Sequence, residues 1–247
     1  MEISPLTCSA DELYAIVSSS RTQWLRLCLS NPAMTTQHVI LLLRNKSITH
    51  DMVEMICDRQ DWLEVQNVQF AIVNCPKAPH TLALRMLQLL YWNDLMKTAG
   101  NVRLSPRLRR AAENYLRDRL SELTLGEKMT VARTGPRAVI SFLRNDSEAR
   151  VIAALLRNPH LIEDDVLRII NDEFTEPEIL SSIGSDYKWS HTYPVRLALV
   201  RNRRTPLPLA LSLLSKLRRQ DLEPLIKTQD TPELIRRGAT RILDGSY

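Results

Sequence analysis

Apolar residues recur at helical spacing along most of the chain, and short polar segments rich in Asn, Arg and Pro interrupt them. Val166, Ile169 and Ile170 lie three and four residues apart, which places them on one face of a helix. The segment 198–214, "ALVRNRRTPLPLALSLL", shows the interruption as Arg-Asn-Arg-Arg-Thr-Pro between two apolar runs. The pattern predicts amphipathic helices joined by tight turns.

The same pattern returns about every 43 residues. Four segments align on an asparagine that ends an apolar run, at Asn31, Asn74, Asn158 and Asn202. The first and last intervals are 43 and 44 residues, and the middle gap of 84 has room for one more copy, near Ser121, which has lost the asparagine. We interpret these asparagines as turn-forming residues that satisfy local backbone groups, rather than as a ladder that binds an extended peptide.

Each unit also carries a third, shorter apolar segment. A single domain over 1–247 is therefore predicted, with units of mostly three helices at roughly 11–59, 60–101, 102–145, 146–187 and 188–229, and a capping helix at 230–247. A helix pair of this size cannot bury its apolar face alone, so the units must stack into an all-α solenoid. The period falls in the HEAT/armadillo range rather than the tetratricopeptide or ankyrin range.

Two segments carry a family resemblance, "YPVRLALVRNRRTPLPLALSLL" and "LRRQDLEPLIKTQDTPELIRRGATRIL". They resemble repeats of bacterial armadillo/HEAT-like solenoids, a class that includes the three-helix leucine-rich repeat variant group. The resemblance implies a curved, right-handed superhelix, here of the about five repeats counted above, and an interaction role. The chain lacks the clustered N-terminal cysteines of the leucine-rich repeat variant group, and no catalytic residue carries over.

Helix starts are marked by Ser or Thr before Pro and by Thr three residues before Glu. Ser105-Pro106, Thr205-Pro206 and Thr231-Pro232 predict an N-cap followed by proline at the first helical position. Thr124 with Glu127, and Thr175 with Glu178, predict capping boxes.

Composition agrees with a helical chain. Its 247 residues are 44% hydrophobic and 25% charged, with only 6 Gly and 5% aromatic residues, which favours helix over strand. The apolar runs are too short to span a bilayer, and acidic residues stand where a secretory signal would be basic, so we expect a cytoplasmic protein. The widely spaced Cys8, Cys28, Cys57 and Cys75 suggest reduced, buried thiols rather than a metal site.

Positive charge is concentrated after residue 100. Lys and Arg outnumber Asp and Glu by 25 to 19 in 101–247, whereas the numbers are 8 and 9 in 1–100. The candidate partner-binding residues are Arg107, Arg109, Arg110, Arg201, Arg203, Arg204, Arg218 and Arg219. Such a face suits an acidic peptide, a phosphorylated partner or nucleic acid. The competing interpretation is an ordinary solvated helix face, partly neutralised by interspersed acidic residues.

A second set of arginines recurs near the start of the first helix of several units. Arg109, Arg150, Arg196 and Arg236 belong to it, and we expect them to tie one repeat to the next. We also expect that changing Arg203 and Arg204 together to Glu leaves stability nearly intact, because both fall in an exposed turn.

No enzyme motif is present, since the chain has no G-x-S-x-G, no Gly-rich phosphate loop and no H-E-x-x-H. Its five histidines are dispersed. We therefore expect no catalytic residue, cofactor or metal, and a non-enzymatic interaction module or scaffold whose partner is a protein. The alternative is a nucleic-acid-binding HEAT-like solenoid with a basic groove and, more distantly, a DNA-glycosylase-like enzyme. Trp24, Trp62, Trp92 and Trp189 form no periodic platform for base stacking, and the oligomeric state stays open.

Overall fold

The computed structural model describes residues 4–19, 22–228 and 231–245, and this part of the chain is helical without a strand. The prediction of an all-α fold is confirmed, and the arrangement is compatible with a helical repeat protein. The helices are α1 (Ala10–Val17), α2 (Thr22–Cys28), α3 (Thr36–Arg44), α4 (His50–Cys57), α5 (Gln60–Leu63), α6 (Gln66–Val73), α7 (His80–Leu87), α8 (Trp92–Gly100), α9 (Pro106–Arg119), α10 (Leu125–Thr134), α11 (Arg137–Leu143), α12 (Ala149–Leu155), α13 (Glu163–Asn171), α14 (Pro177–Ser185), α15 (Tyr187–Ser190), α16 (Tyr193–Arg201), α17 (Leu207–Leu214), α18 (Arg219–Lys227) and α19 (Glu233–Asp244). Within the described residues, none of these helices is both long enough and apolar enough to cross a membrane.

The chain divides into two compact units. Unit 1 is Met1–Arg119 and contains α1 to α9, and unit 2 is Leu120–Tyr247 and contains α10 to α19. In unit 1, α6 packs against α3 and α7, and in unit 2, α16 packs against α13 and α17. Each of these helices thus packs against the third helix before it and the next helix after it, and α6 also contacts α5 while α16 also contacts α14 and α15.

The apolar faces predicted from spacing form the core. Val166, Ile169 and Ile170 of α13 are all buried, and so are Leu213 and Leu214 of α17. Burying a side chain of this size contributes about 1.5–3 kcal/mol, which makes these faces the main stabilising element of each helix.

Five turns of the described chain contain the same hydrogen bond, in which the backbone carbonyl of an asparagine accepts the N–H of the residue three positions later. The pairs are Asn31–Met34, Asn45–Ile48, Asn101–Leu104, Asn158–Leu161 and Asn202–Thr205. The later residue of each pair is buried, and the next helix begins two residues further on. The turn therefore places a buried anchor residue just before each of these five helices.

This turn explains why two predicted N-caps are wrong. Thr205 is 6% exposed and occupies the anchor position, so Pro206 becomes the N-cap and α17 begins at Leu207. Thr231 is likewise buried, in a turn of the same kind in which the Thr228 carbonyl accepts its N–H, and α19 begins after Pro232. Ser105 is confirmed as a cap, because the Leu108 N–H donates to its Oγ at 3.3 Å.

One of the two predicted capping boxes forms. Thr124 and Glu127 exchange hydrogen bonds, with the Thr124 N–H donating to Glu127 Oε2 at 2.9 Å and the Glu127 N–H to Thr124 Oγ1 at 3.4 Å. The box predicted at Thr175 and Glu178 is wrong. The Thr175 hydroxyl donates to the Ile169 carbonyl at 2.6 Å, and Glu176 is the N-cap of α14.

Candidate partner-binding surfaces

Helix α9 presents two arginines on an exposed face. Leu108, Ala112 and Leu116 are four residues apart and buried, and α9 packs against α7 and α8. Arg107 and Arg110 are three residues apart, so they share the opposite, exposed side. The packing of one face thereby fixes the direction of the other.

Arg103, in the turn before α9, adds a third exposed cation, and we call Arg103, Arg107 and Arg110 the α9 stripe. Within the described residues, none of the three side chains has an ion pair or a hydrogen bond. Further along the same helix, Arg117 lies 3.2 Å from Asp118, and Arg119 donates to the carbonyls of Gln88 and Leu90. The stripe therefore covers only the start of the helix.

Arg109 does not belong to this exposed group. It is half-buried, and its Nε is a buried atom without a hydrogen-bond partner in the described part of the chain. The helical phase accounts for its position, because Arg109 lies three residues before the buried Ala112.

Most of the arginines predicted in unit 2 contact backbone carbonyls or a side chain of the same unit. Arg204 donates to the carbonyls of Phe174 at 3.1 Å and Thr175 at 3.4 Å. Arg219 donates to the Leu243 carbonyl at 2.8 Å, and the Arg218 guanidinium lies 4.6 Å from the centre of the Tyr193 ring. These contacts join each arginine to a distant turn or helix.

Arg201 and Arg203 are exposed and lie between two surface clefts of unit 2. One cleft, of about 500 Å³, extends to Asn171 and Glu173, and the other, of about 340 Å³, extends to Thr228. Arg201 Nη2 is 3.9 Å from Asp221 Oδ1. The structure thus brings Arg201, Arg203 and Arg204 together at one edge of unit 2.

Asp221 lies beside Arg201 and is also linked to Arg218 through a hydrogen bond with Tyr193. The Tyr193 hydroxyl donates to Asp221 and accepts the Arg218 N–H at 3.0 Å. Partial burial raises the pKa of Tyr193, and the hydrogen bond to Asp221 raises it further. The phenol therefore stays protonated and holds the turn before α18 against α16.

The asparagines satisfy local backbone groups, as predicted, and also reach further. Asn158 Oδ1 accepts the His160 N–H, while its Nδ2 donates to the carbonyls of Ala132 at 2.7 Å and Gly135 at 3.0 Å. Asn31 and Asn202 have the same double role. Asn74 differs, because its Nδ2 donates to Phe70 in its own helix. The side-chain NH2 groups of these asparagines therefore donate to carbonyls of the chain itself.

The recurrent arginines separate into two kinds. Arg196 donates to the carbonyls of Ser190 and His191, and Arg236 donates to that of Thr231, so both fasten the segment that enters their helix. These contacts stay within one predicted unit, so the prediction that these two arginines tie one repeat to the next is wrong for them. Arg150 is wrongly grouped with them. Its side chain is exposed and lies 3.6 Å from Glu148.

Two features of unit 2 were missed by the sequence analysis. Asp165 is buried and binds Arg137, with Arg137 Nη2 to Asp165 Oδ1 at 3.1 Å. An acidic cleft of about 580 Å³ is lined by Glu148, Glu176 and Glu178, with Arg150 as one basic residue beside them. For the ion pair, the only sequence signal was the acidic start of α13, Glu163 to Asp165. No sequence pattern predicted that the glutamates of the cleft lie together, because they come from segments almost thirty residues apart.

The cysteines are buried thiols, as expected, with the exception of the half-buried Cys57. Burial raises the pKa of Cys28 and of Cys57 to about 11, and it raises that of Cys75 as well. At neutral pH these groups are protonated and unreactive. Among the described residues, no group of three or more His, Cys, Asp and Glu side chains is placed to hold a metal ion.

No family model, no curated protein and no solved structure matches this chain.

Proposed function

We propose that this chain is a non-enzymatic interaction module or scaffold of the cytoplasm, built as a right-handed α-solenoid of about five HEAT/armadillo-like repeats. The asparagine turns at the predicted positions Asn31, Asn158 and Asn202 and the matching contacts of α6 and α16 support the repeat architecture. Its partner is a protein that presents an acidic surface to the α9 stripe.

The observation that carries the proposal is the place of the stripe arginines at a helix N-terminus. The first turn of a helix favours negative charge, because its backbone N–H groups carry partial positive charge. Helix α9 has no acidic residue there, and it places Arg107 and Arg110 in or next to that turn without an ion-pair partner in the described residues. Locally unfavourable charge is typical of residues kept for binding.

The mixed charge of unit 2 favours a protein partner over nucleic acid. Its predicted arginines contact carbonyls, a ring and carboxylates, and the acidic cleft at Glu148, Glu176 and Glu178 interrupts any continuous basic surface. A polyanionic backbone requires a basic patch or stripe, whereas protein partners pair surfaces of alternating sign.

Nucleic acid remains a second candidate at the α9 stripe itself, because unpaired arginines with one exposed face can also contact phosphates. Such binding would weaken steeply with salt, since each neutralised phosphate releases a counterion.

The test is an affinity capture from a bacterial lysate, with nuclease-treated and untreated halves read by mass spectrometry. The bait is the full chain as wild type, as Arg107→Glu with Arg110→Glu, and as the control Arg133→Glu with Arg157→Glu. The control residues are exposed and without an ion pair among the described residues, and they lie in unit 2.

We expect one protein partner that survives nuclease, is retained by the control and is lost with the α9 double variant. Recovery of nucleic acid alone would replace the proposal by the second candidate. A partner captured equally by all three baits would remove the α9 stripe from the binding surface.

A further inference from the structure

A groove of about 600 Å³ runs along the last helix pair of unit 2, between α17 and α19. None of the eight candidate partner-binding arginines lines it, whereas Arg236 of the recurrent set does. Leu234, Arg237, Gly238 and Arg241 are spaced by three, four and seven residues from Leu234, so they share one face of α19. Leu211 of α17 forms the opposite wall.

Helix α19 lies close to α17, and leucine side chains of the two helices form the apolar floor of the groove. A Cβ added at Gly238 would come within 2.8 Å of Leu214 Cδ2, so only glycine permits this approach without a shift. Leu211 and Leu234 remain 39% and 52% exposed on either side. Single exposed leucines are ordinary, but two that converge on one groove form a continuous apolar surface.

The rim of the groove is basic. Arg237 Nε lies 2.8 Å from Glu233 Oε1, and Arg236 Nη1 lies 3.7 Å from Glu233 Oε2, so one carboxylate faces two guanidinium groups. Arg241 has no ion pair among the described residues. The rim therefore keeps an excess of positive charge beside the apolar floor.

We propose that the α17–α19 groove docks a short amphipathic helix of a partner protein, with leucine-like side chains against Leu211 and Leu234 and carboxylates against Arg237 and Arg241. A helix laid into an apolar groove is anchored by residues at i, i+3, i+4 and i+7. The face from Leu234 to Arg241 rises about 10 Å, which matches two turns of such a helix. Phosphate-rich ligands fit less well, because they gain nothing from the leucines and meet Glu233.

The inference rests on the proposed interaction role, but it uses none of the α9 residues. Its probe is a displayed library of random peptides of about twelve residues, a length that covers three helical turns. The library is selected against the full wild-type chain, and enriched peptides are synthesised and titrated by fluorescence anisotropy against the variants.

We expect enriched peptides to combine Leu, Ile or Phe at helical spacing with two or more Asp or Glu residues. Leu234→Lys should weaken their binding at least about tenfold, because it removes one of the two exposed leucines that line the groove. Arg241→Glu should weaken it about fivefold or more, since a like charge then faces the peptide. Arg107→Glu and Arg133→Glu should change affinity less than about twofold, as neither residue lines the groove.

A selection that enriches nothing, or that enriches basic or purely apolar peptides, overturns the proposal. So does binding that is unchanged in both groove variants. Circular dichroism checks that Leu234→Lys folds, and Arg241→Glu keeps the test decisive if it does not. Loss of binding with Arg107→Glu instead would support the α9 stripe and refute the groove, which separates this inference from the proposed function.

Discussion

The arginines of the α9 stripe and those around Arg204 in unit 2 look alike in the sequence and are used differently in the structure. Arg107 and Arg110 extend from an exposed helix face without an ion pair in the described residues, whereas Arg204 and Arg219 donate to backbone carbonyls. The difference follows their position relative to neighbouring helix ends. Arg219 reaches the Leu243 carbonyl in the last turn of α19, where carbonyls lack intrahelical partners, and Arg204 reaches two carbonyls of the turn between α13 and α14.

Arg119 shows that position, rather than the unit, decides the role. It belongs to the same helix as Arg107, yet it donates to the carbonyls of Gln88 and Leu90 that follow α7. An arginine that faces a neighbouring helix end is therefore structural, and one on an isolated face is available to a partner.

The largest effect is expected at Asn158, which is 1% exposed and joins three backbone groups. Asn158→Ala leaves two carbonyls and one N–H without their partner, and buried groups left this way cost about 1–3 kcal/mol each. With partial access of water, we expect a loss of about 3 kcal/mol in the free energy of unfolding. Urea denaturation measures it.

Asn114→Ala is the matched control, because Asn114 is an exposed asparagine of α9. It should change the free energy of unfolding by less than about 0.5 kcal/mol. Equal losses in the two variants would show that the asparagine turn does not carry the stability assigned to it.

The second effect concerns Arg137, whose partner Asp165 has a side chain only 4% exposed while Arg137 is half-exposed. Removing one partner of a fully buried pair costs about 3–5 kcal/mol, and the exposure of Arg137 reduces this to about 2 kcal/mol. We expect Arg137→Met to lose that amount in urea denaturation. Arg133→Met, an exposed arginine of the preceding helix, should lose almost nothing; a comparable loss there would contradict a specific role for the ion pair.

The third effect changes an expectation from the sequence. Arg203→Glu with Arg204→Glu was expected to leave stability intact, but Arg204 binds two carbonyls and lies 3.9 Å from Glu176. Reversal removes these bonds and places like charges together, so we expect a loss of about 1 kcal/mol and a lower melting temperature. The single variant Arg204→Ala should show most of this loss, and an unchanged melting temperature would show that the contacts of Arg204 do not stabilise the fold.

These cases show which parts of the structure the sequence determines by itself. Helical spacing was enough to predict the buried face of α13, because that information is local. The same helical spacing also indicates that Arg109 is half-buried, since Leu108, Ala112 and Leu116 fix the phase of α9.

The Thr205 cap failed for a different reason. A Thr-Pro pair is compatible with two helix starts one residue apart, and in this turn, where Thr205 is buried, the helix begins at the later one. Partners such as Phe174 for Arg204 lie about thirty residues away along the chain, so only the packing of helices reveals them.

The smallest effect has the opposite sign and tests the free arginines directly. Arg107 lies in the first turn of α9, where the helix dipole disfavours a cation and favours an anion. Arg107→Glu should therefore raise the free energy of unfolding by about 0.5 kcal/mol, measured by urea denaturation at low salt, and the gain should shrink at high salt. Arg117→Glu, in the last turn of the same helix, should instead lower it slightly, because the dipole there favours a cation. If Arg107→Glu is destabilising, this arginine has a structural contact, and the reason for assigning the α9 stripe to a partner is lost.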